Sequence, residues 1–199
     1  MDRQDELELV AALRSGAEDA FDRIYEHFRP RLYGFLVRLS KRQDVAEDLL
    51  QETWIRLATR APQLAEDTRL AAWLFTVARN LFLSHRRWRL LDADRVQELA
   101  RVAIRSEEPD CPFEALAGSE LQRELERALA RLPIKYREVL LLTALEGISH
   151  EQAAAICELK PEALRKRLSR ARALLADRLA RTAKPPALGP APAPSEARP

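Results

Sequence analysis

Residues 149–172 read SHEQAAAICELKPEALRKRLSRAR: one short helix, a tight turn, and a second helix crowded with basic side chains. Ser149 is a natural N-cap, and Gln152 stands at the third helical position, where it can complete a capping box. Ala153, Ala154, Ala155 and Ile156 form a compact apolar run against which another helix can pack closely. Glu158-Leu159-Lys160 makes the turn. Pro161 suits the first position of the following helix, because its missing N–H has no intrahelical partner there. From Lys160 to Lys184 there are nine Lys or Arg against two acids. Arg165, Lys166, Ser169 and Arg170 project along one face of this helix, while Leu164, Leu168 and Ala171 point the other way, into a core. The pattern is a helix-turn-helix with a recognition helix, and its chemistry points to DNA.

Working outward, the rest of the chain is also helical. Five glycines among 199 residues and 6 % aromatic content argue against an all-β chain, and the abundance of Leu, Ala, Arg and Glu favours helix. Leu9, Leu13, Ala17 and Phe21 begin an apolar stripe at helical spacing, interrupted by Gly16. Phe28, Leu32, Phe35, Leu36 and Leu39 continue one after Pro30. Val45, Leu49, Ile55 and Leu57 are expected to line another helix, with Trp54 as a large core anchor, until Pro62 ends it. A polar loop over 63–69 leads to a long helix over 71–91 that carries Trp73, Phe75, Val77, Leu81 and Phe82. Leu121, Leu125, Ala128 and Leu129 share one face of a further helix. Pro133 opens the next, and Gly147 closes it as a C-cap.

The expected fold is therefore all-α: two small helical domains joined by a flexible linker, the second containing the helix-turn-helix. The first spans 6–91. An acidic linker over 92–118 follows, containing Pro109 and Pro112 and poor in periodicity. The second domain spans 119–182. The Pro/Ala-rich tail, 183–199, is too poor in large apolar groups to pack. Two small cores of this size are marginal alone, an arrangement that suits a molecule held open by a larger partner.

Charge is segregated although the formal net charge is only +2. Asp44 to Glu52 is purely acidic, Arg79 to Leu91 holds four arginines and no acid, and Asp92 to Glu120 carries eight acids against three arginines. Such segregation fits one nucleic-acid partner and another that meets an acidic face. Cys111 and Cys157 lie far apart and show no metal spacing, and His27, His85 and His150 form no cluster with them. No metal or cofactor is expected, and no nucleophile–base pair or phosphate loop marks an enzyme. With no signal peptide and no apolar run near membrane-spanning length, the chain reads as a cytoplasmic protein without membrane insertion.

Four stretches together resemble a known family: DVAEDLLQETWIRL (44–57), AWLFTVARNLFLSHRR (72–87), ALARLPIKYREVLLLTALEGISHEQAAA (128–155) and LRKRLSRARALL (164–175). In this order and separation they resemble the extracytoplasmic-function (ECF) group of bacterial RNA polymerase sigma factors, within the sigma-70 family. The resemblance implies a first domain that binds the β′ clamp helices of core RNA polymerase and opens the −10 element. It implies a second domain that binds the −35 element of promoter DNA and the β flap.

Asp48, Gln51 and Glu52 match the family's clamp-binding pattern, and positions 44, 48, 51 and 52 share one helix face by their spacing. Arg79, Asn80, Ser84, Arg86 and Arg87 match its promoter-reading end. There Asn80, Ser84 and Arg87 lie on one side of a helix, and an Asn can read a base edge bidentately. Helical spacing makes Phe75 and Phe82 core residues and leaves Trp88 exposed. The loop over 63–70 corresponds to the family's base-capturing segment. Arg165, Lys166, Ser169 and Arg170 match the recognition helix. Members of this group are often restrained by an anti-sigma protein, which an open linker would permit.

The sequence departs from the family pattern at three places. Glu158 stands where Gly is usual, so the turn needs a left-handed conformation from a non-glycine residue. Glu162-Ala163 replaces Gly-Thr, placing a negative charge near DNA but also at a helix N-terminus, which favours it. Ser84 stands where Asp is frequent. Two other readings stay open on sequence alone: a free-standing helix-turn-helix regulator, and a helical adaptor that occupies polymerase without initiating.

Overall fold

The computed structural model describes residues 2–97 and 119–182, the side chains of 92–97 and 182 excepted. These residues are helical throughout: α1 Arg3–Arg14, α2 Glu18–Ser40, α3 Gln43–Arg60, a 3-10 turn Ala61–Gln63, α4 Leu70–Gln97, α5 Glu120–Ala130, α6 Ile134–Leu140, a π turn Leu141–Leu145, α7 His150–Ile156 and α8 Pro161–Thr182. Most of the expected linker and all of the tail lie outside the described residues. The long helix does not stop at Leu91, because α4 continues through 92–97.

The helix ends follow from local chemistry. Asp2 and Asp5 form a reciprocal capping box that starts α1. Gly16, at φ +83°, turns the chain between α1 and α2, which splits the apolar stripe of 9–21 into two helices. Pro30 does not interrupt α2. It sits on the exposed side of the helix, as does Glu26, whose carbonyl loses its intrahelical partner. Ser149 Oγ accepts the Gln152 N–H at 3.3 Å and starts α7, and Pro161 opens α8 as its spacing predicts. Gly147 takes φ +66° at the end of the π turn, and Glu158 adopts the left-handed conformation, φ 56°.

Helices α2, α3 and α4 pack around Ile24, Phe28, Leu32, Phe35, Leu36, Leu57, Leu74 and Phe75, all at most 1 % exposed. The Phe35 and Phe75 rings meet edge to face at 5.2 Å, and Tyr25 lies 4.9 Å from Trp54. In the second half α6, α7 and α8 close over Leu132, Val139, Leu142, Ile156, Leu164, Leu168 and Ala171. Two expected core residues are outside. Ile55 is 51 % exposed, because it stands roughly 200° around the helix from Leu57. Leu121 is 72 % exposed, since the opening turn of α5 projects into solvent and contact begins only near Leu125 and Glu126.

The two halves are not held apart. Their apolar residues belong to one contiguous cluster, with α4 packed on α7 and α2 on α5 and α6. Small marginal cores explain why: joining them removes more apolar surface from water than either could bury alone.

Glu158 carries backbone strain that a glycine would not. Glu158→Gly should raise stability by about 1 kcal/mol, seen as a thermal midpoint about 3 °C higher. A lowered midpoint would show that the Glu158 side chain, 3.6 Å from Arg79, outweighs that strain.

Candidate nucleic-acid interface

The basic surface falls in two places. On α8, Arg165, Lys166, Ser169 and Arg170 are exposed, while Leu164, Leu168 and Ala171 are at most 3 % exposed and fix the helix to the core. On α4, Asn80, Ser84, Arg86 and Arg87 are exposed, and Trp88 beyond them is 65 % exposed. Phe75 and Phe82 are buried, as their spacing predicts. The helix periodicity therefore divides each element into an anchoring side and a polar side available to a ligand.

Arg79 departs from the expected set. It is 7 % exposed, turned away from solvent and into the joint between the two halves. Its Nε donates to Glu138 Oε2 at 2.9 Å, Nη1 to the Ile156 carbonyl at 3.1 Å and Nη2 to the Cys157 carbonyl at 3.5 Å. The last two acceptors are carbonyls at the C-terminal end of α7, where a cation is favoured. In this conformation Arg79 is an interdomain residue and presents nothing to DNA.

Glu138, 3 % exposed, also accepts from Arg167 Nη1 at 3.1 Å. One carboxylate thus joins a guanidinium of α4 to one of α8. Around it lie further links. Arg38 forks onto Glu126, with its Nε and Nη2 at 3.0 and 2.7 Å from Oε1. Arg137, 3 % exposed, donates to the Arg38, Ala130 and Leu132 carbonyls at 2.8–2.9 Å. Arg31 donates to Glu146 Oε2 at 3.0 Å and to the Glu146 carbonyl at 2.8 Å, where the π turn ends. Burial pushes the Glu146 carboxyl up, against the pull of Arg31. A carboxyl raised in the folded state favours this packing below its unfolded value and loses that contribution as pH rises through the folded one.

Apart from Arg79, expected at DNA, none of the charged residues of the joint stands out in the sequence reading. A signal existed in IKYREVLLL (134–142): Ile134, Glu138, Leu141 and Leu142 share a helix face, so Glu138 stands at a core position. A charge at a core position requires partners, and the chain supplies two arginines from different helices.

The acidic face of α3 is free of the joint. Asp48 and Gln51 are exposed, whereas Glu52 is half-buried and accepts from Arg56 Nε at 3.0 Å. Asp44, at the start of the same helix, is gripped by Arg42, whose hydrogen bond lowers its carboxyl pKa to about 2. A cleft of about 550 Å³ opens between the end of α3 and the start of α4, lined by Arg56, Thr59, Arg60, Gln63, Leu64 and Trp73. Among the described residues, no three His, Cys, Asp or Glu gather as a metal site, and no helix is long and apolar enough to cross a membrane.

Comparison with known proteins agrees with this geometry. Residues 24–89 match the family model for sigma-70 region 2, and residues 122–175 match that for sigma-70 region 4. The chain is 36 % identical to the ECF RNA polymerase sigma factor EcfG of Rhodopseudomonas palustris, over 73 % of its own length and 77 % of the relative. It is 32 % identical to the RNA polymerase sigma factor CarQ of Myxococcus xanthus, over 79 % and 87 % of the two chains. Among solved structures it resembles the sigma factor RpoE of Bartonella quintana, crystallised with the anti-sigma factor NepR. That match has a TM-score of 0.66 and 31 % identity, covering 82 % of this chain and 98 % of that one.

Two helical bodies carrying these models in this order define a transcription initiation factor. The chain belongs to the ECF group of RNA polymerase sigma factors and directs promoter-specific transcription.

The joint has a measurable stability. Glu138→Ala leaves two guanidinium groups without their shared anion and should cost about 3–5 kcal/mol in urea unfolding. The double change Arg79→Met with Glu138→Leu should recover most of that loss, since packed apolar groups avoid the desolvation penalty. The buried thiol of Cys157 reports the same region. Burial pushes its pKa up to about 12, so in a Cys111→Ser variant it should stay unreacted with a disulfide reagent at pH 8 until urea is added.

Proposed function

We propose that the chain meets core polymerase through the α3 face of Asp48, Gln51 and Glu52, which docks on the β′ clamp helices. The 6–91 domain then reads and opens the −10 element, with Asn80, Ser84, Arg86 and Arg87 facing DNA. The 119–182 domain binds the −35 element through Arg165, Lys166, Ser169 and Arg170 and reaches the β flap. The observation that carries this reading is the pair of exposed polar helix faces, one in each region matched by a sigma-70 model. The protein acts by binding, not by bond chemistry, and works in the cytoplasm where the polymerase is.

The cleft beside Trp73 suits one unstacked base. Trp73 offers a ring for stacking, worth roughly 1–3 kcal/mol per base. Arg56 and Arg60 supply charge for the adjoining phosphates.

The packed joint must open for both elements to be touched at once. By their names the elements lie about 25 base pairs apart, roughly 85 Å along the duplex at 3.4 Å per pair. A compact body of about 160 residues is only roughly 40 Å across. Opening releases Arg79 alone, because Glu138 and Arg167 both belong to the 119–182 half and stay paired while α4 leaves. Released, Arg79 would rejoin the promoter-facing end of α4. A protein anti-sigma partner, of the kind that accompanies the Bartonella quintana relative, fits a sigma factor with two stable arrangements.

The test is transcription in vitro with purified core polymerase and a random promoter library, which should return defined start sites. Asp48→Ala should weaken core binding about tenfold, equivalent to about 1.4 kcal/mol, and leave the −35 contact unchanged. Arg165→Ala or Lys166→Ala should relax −35 selection, with about 1–3 kcal/mol lost for each base contact removed. Asn80→Ala should impair the −10 element instead. Unchanged core affinity in Asp48→Ala would move the docking face elsewhere. Absence of any defined start would end the reading.

A further inference from the structure

Helix α1 precedes residues 24–89, the part matched by the region 2 model, and the assignments above give it no role. Its polar side chains nevertheless converge on one place, the 64–69 segment and the first turn of α4. Glu6, 9 % exposed, accepts the Leu70 N–H at 2.7 Å through Oε1. Arg3 Nη1 donates to Glu6 Oε2 at 2.6 Å and to the Thr68 carbonyl at 3.3 Å, while Nη2 donates to the Asp67 carbonyl at 2.7 Å. Arg14 Nη1 lies 2.9 Å from Glu66 Oε1. Successive parts of the segment are thus tied by three side chains of one helix.

The contacts answer a local need. Helix α4 begins at Leu70, and Arg69 before it has no side-chain oxygen to cap the opening N–H groups. A carboxylate 64 residues away in sequence does so instead, and the helix dipole favours a negative charge there. A buried carboxylate survives only when paired and hydrogen-bonded; Arg3 and the Leu70 N–H meet both conditions.

This segment begins at one wall of the cleft, Gln63 and Leu64, and ends one turn before Trp73 at the other. A site that holds one base needs its walls placed to about 0.5 Å. Freeing the segment would add the cost of ordering it to binding.

We infer that α1 is a positioning element for base capture: Arg3, Glu6 and Arg14 pre-order the 64–70 segment so that the cleft beside Trp73 accepts an unstacked promoter base. The inference rests on the base-capture reading above and extends it to a helix outside the matched region.

The test uses holoenzyme assembled from the full chain, on a promoter selected by the wild type. 2-Aminopurine replaces successive non-template bases of the −10 element, and its fluorescence rises where a base leaves the stack. Wild type should give a rise at one position. Arg3→Ala and Glu6→Gln should lower the affinity that this rise reports about tenfold, as expected when an ordered segment is freed. Core binding, and binding to a duplex carrying only the −35 element, should not change. Arg3 is partly exposed, so its removal opens no core and the test survives if Glu6→Gln fails to fold. An undiminished rise in both Arg3→Ala and Arg14→Ala would overturn the role of α1 and leave base capture standing. Equal losses in all three measurements would mark general destabilisation and overturn it too. No rise in the wild type would remove the base-capture reading, and this inference with it.

Discussion

A single buried carboxylate governs how the two halves of this sigma factor meet. Glu138 has almost no contact with water and lies between Arg79 of α4 and Arg167 of α8. In a low-dielectric joint a lone charge is costly, so the acid and its two cations are tied to one geometry. The same joint holds the fork of Arg38 on Glu126 and the reach of Arg137 to the α2 carbonyls. Such networks contribute less to net stability than their number implies, because each ion gives up its hydration. Their effect here is to specify one packing among several that an apolar joint alone would permit.

The same network reaches the two exposed polar helix faces. Arg79 stands next to Asn80 on α4, and Arg167 stands among the exposed basic side chains of α8. While the halves are packed, Arg79 serves Glu138 across the joint, and Arg167 serves it from within the same half. The exposed residues Arg165, Lys166 and Arg170 need no opening of the joint, and their charge is on the surface throughout.

Much of the architecture was legible in the residues because it is set by local rules. Ser149, Gly147, Pro161 and Glu158 each act through their own backbone or the next turn, so the helix-turn-helix could be placed from spacing alone. The anchoring side of α8 followed from the three-and-four periodicity of Leu164, Leu168 and Ala171. Two residues face other than their spacing or motif implies. Ile55 was grouped with Leu57 by hydrophobicity although two positions of helix turn it to the far side. Arg79 is placed with its neighbours by resemblance to the family's promoter-reading stretch, whereas the direction it faces is decided by what packs against α4.

Sequence by itself determined the helices, their order, the two basic faces and the family to which the chain belongs, since periodicity, capping and motif spacing act over a few residues. Only the tertiary structure decided that Arg79 faces inward, that Glu138 holds two helices from different halves, and that α1 ties down the segment beside Trp73. The physical reason is range. A hydrogen bond between Glu6 and Leu70, or between Arg79 and Glu138, spans 64 or 59 residues, and no local preference records which distant partner a charged side chain will meet once it is taken out of water.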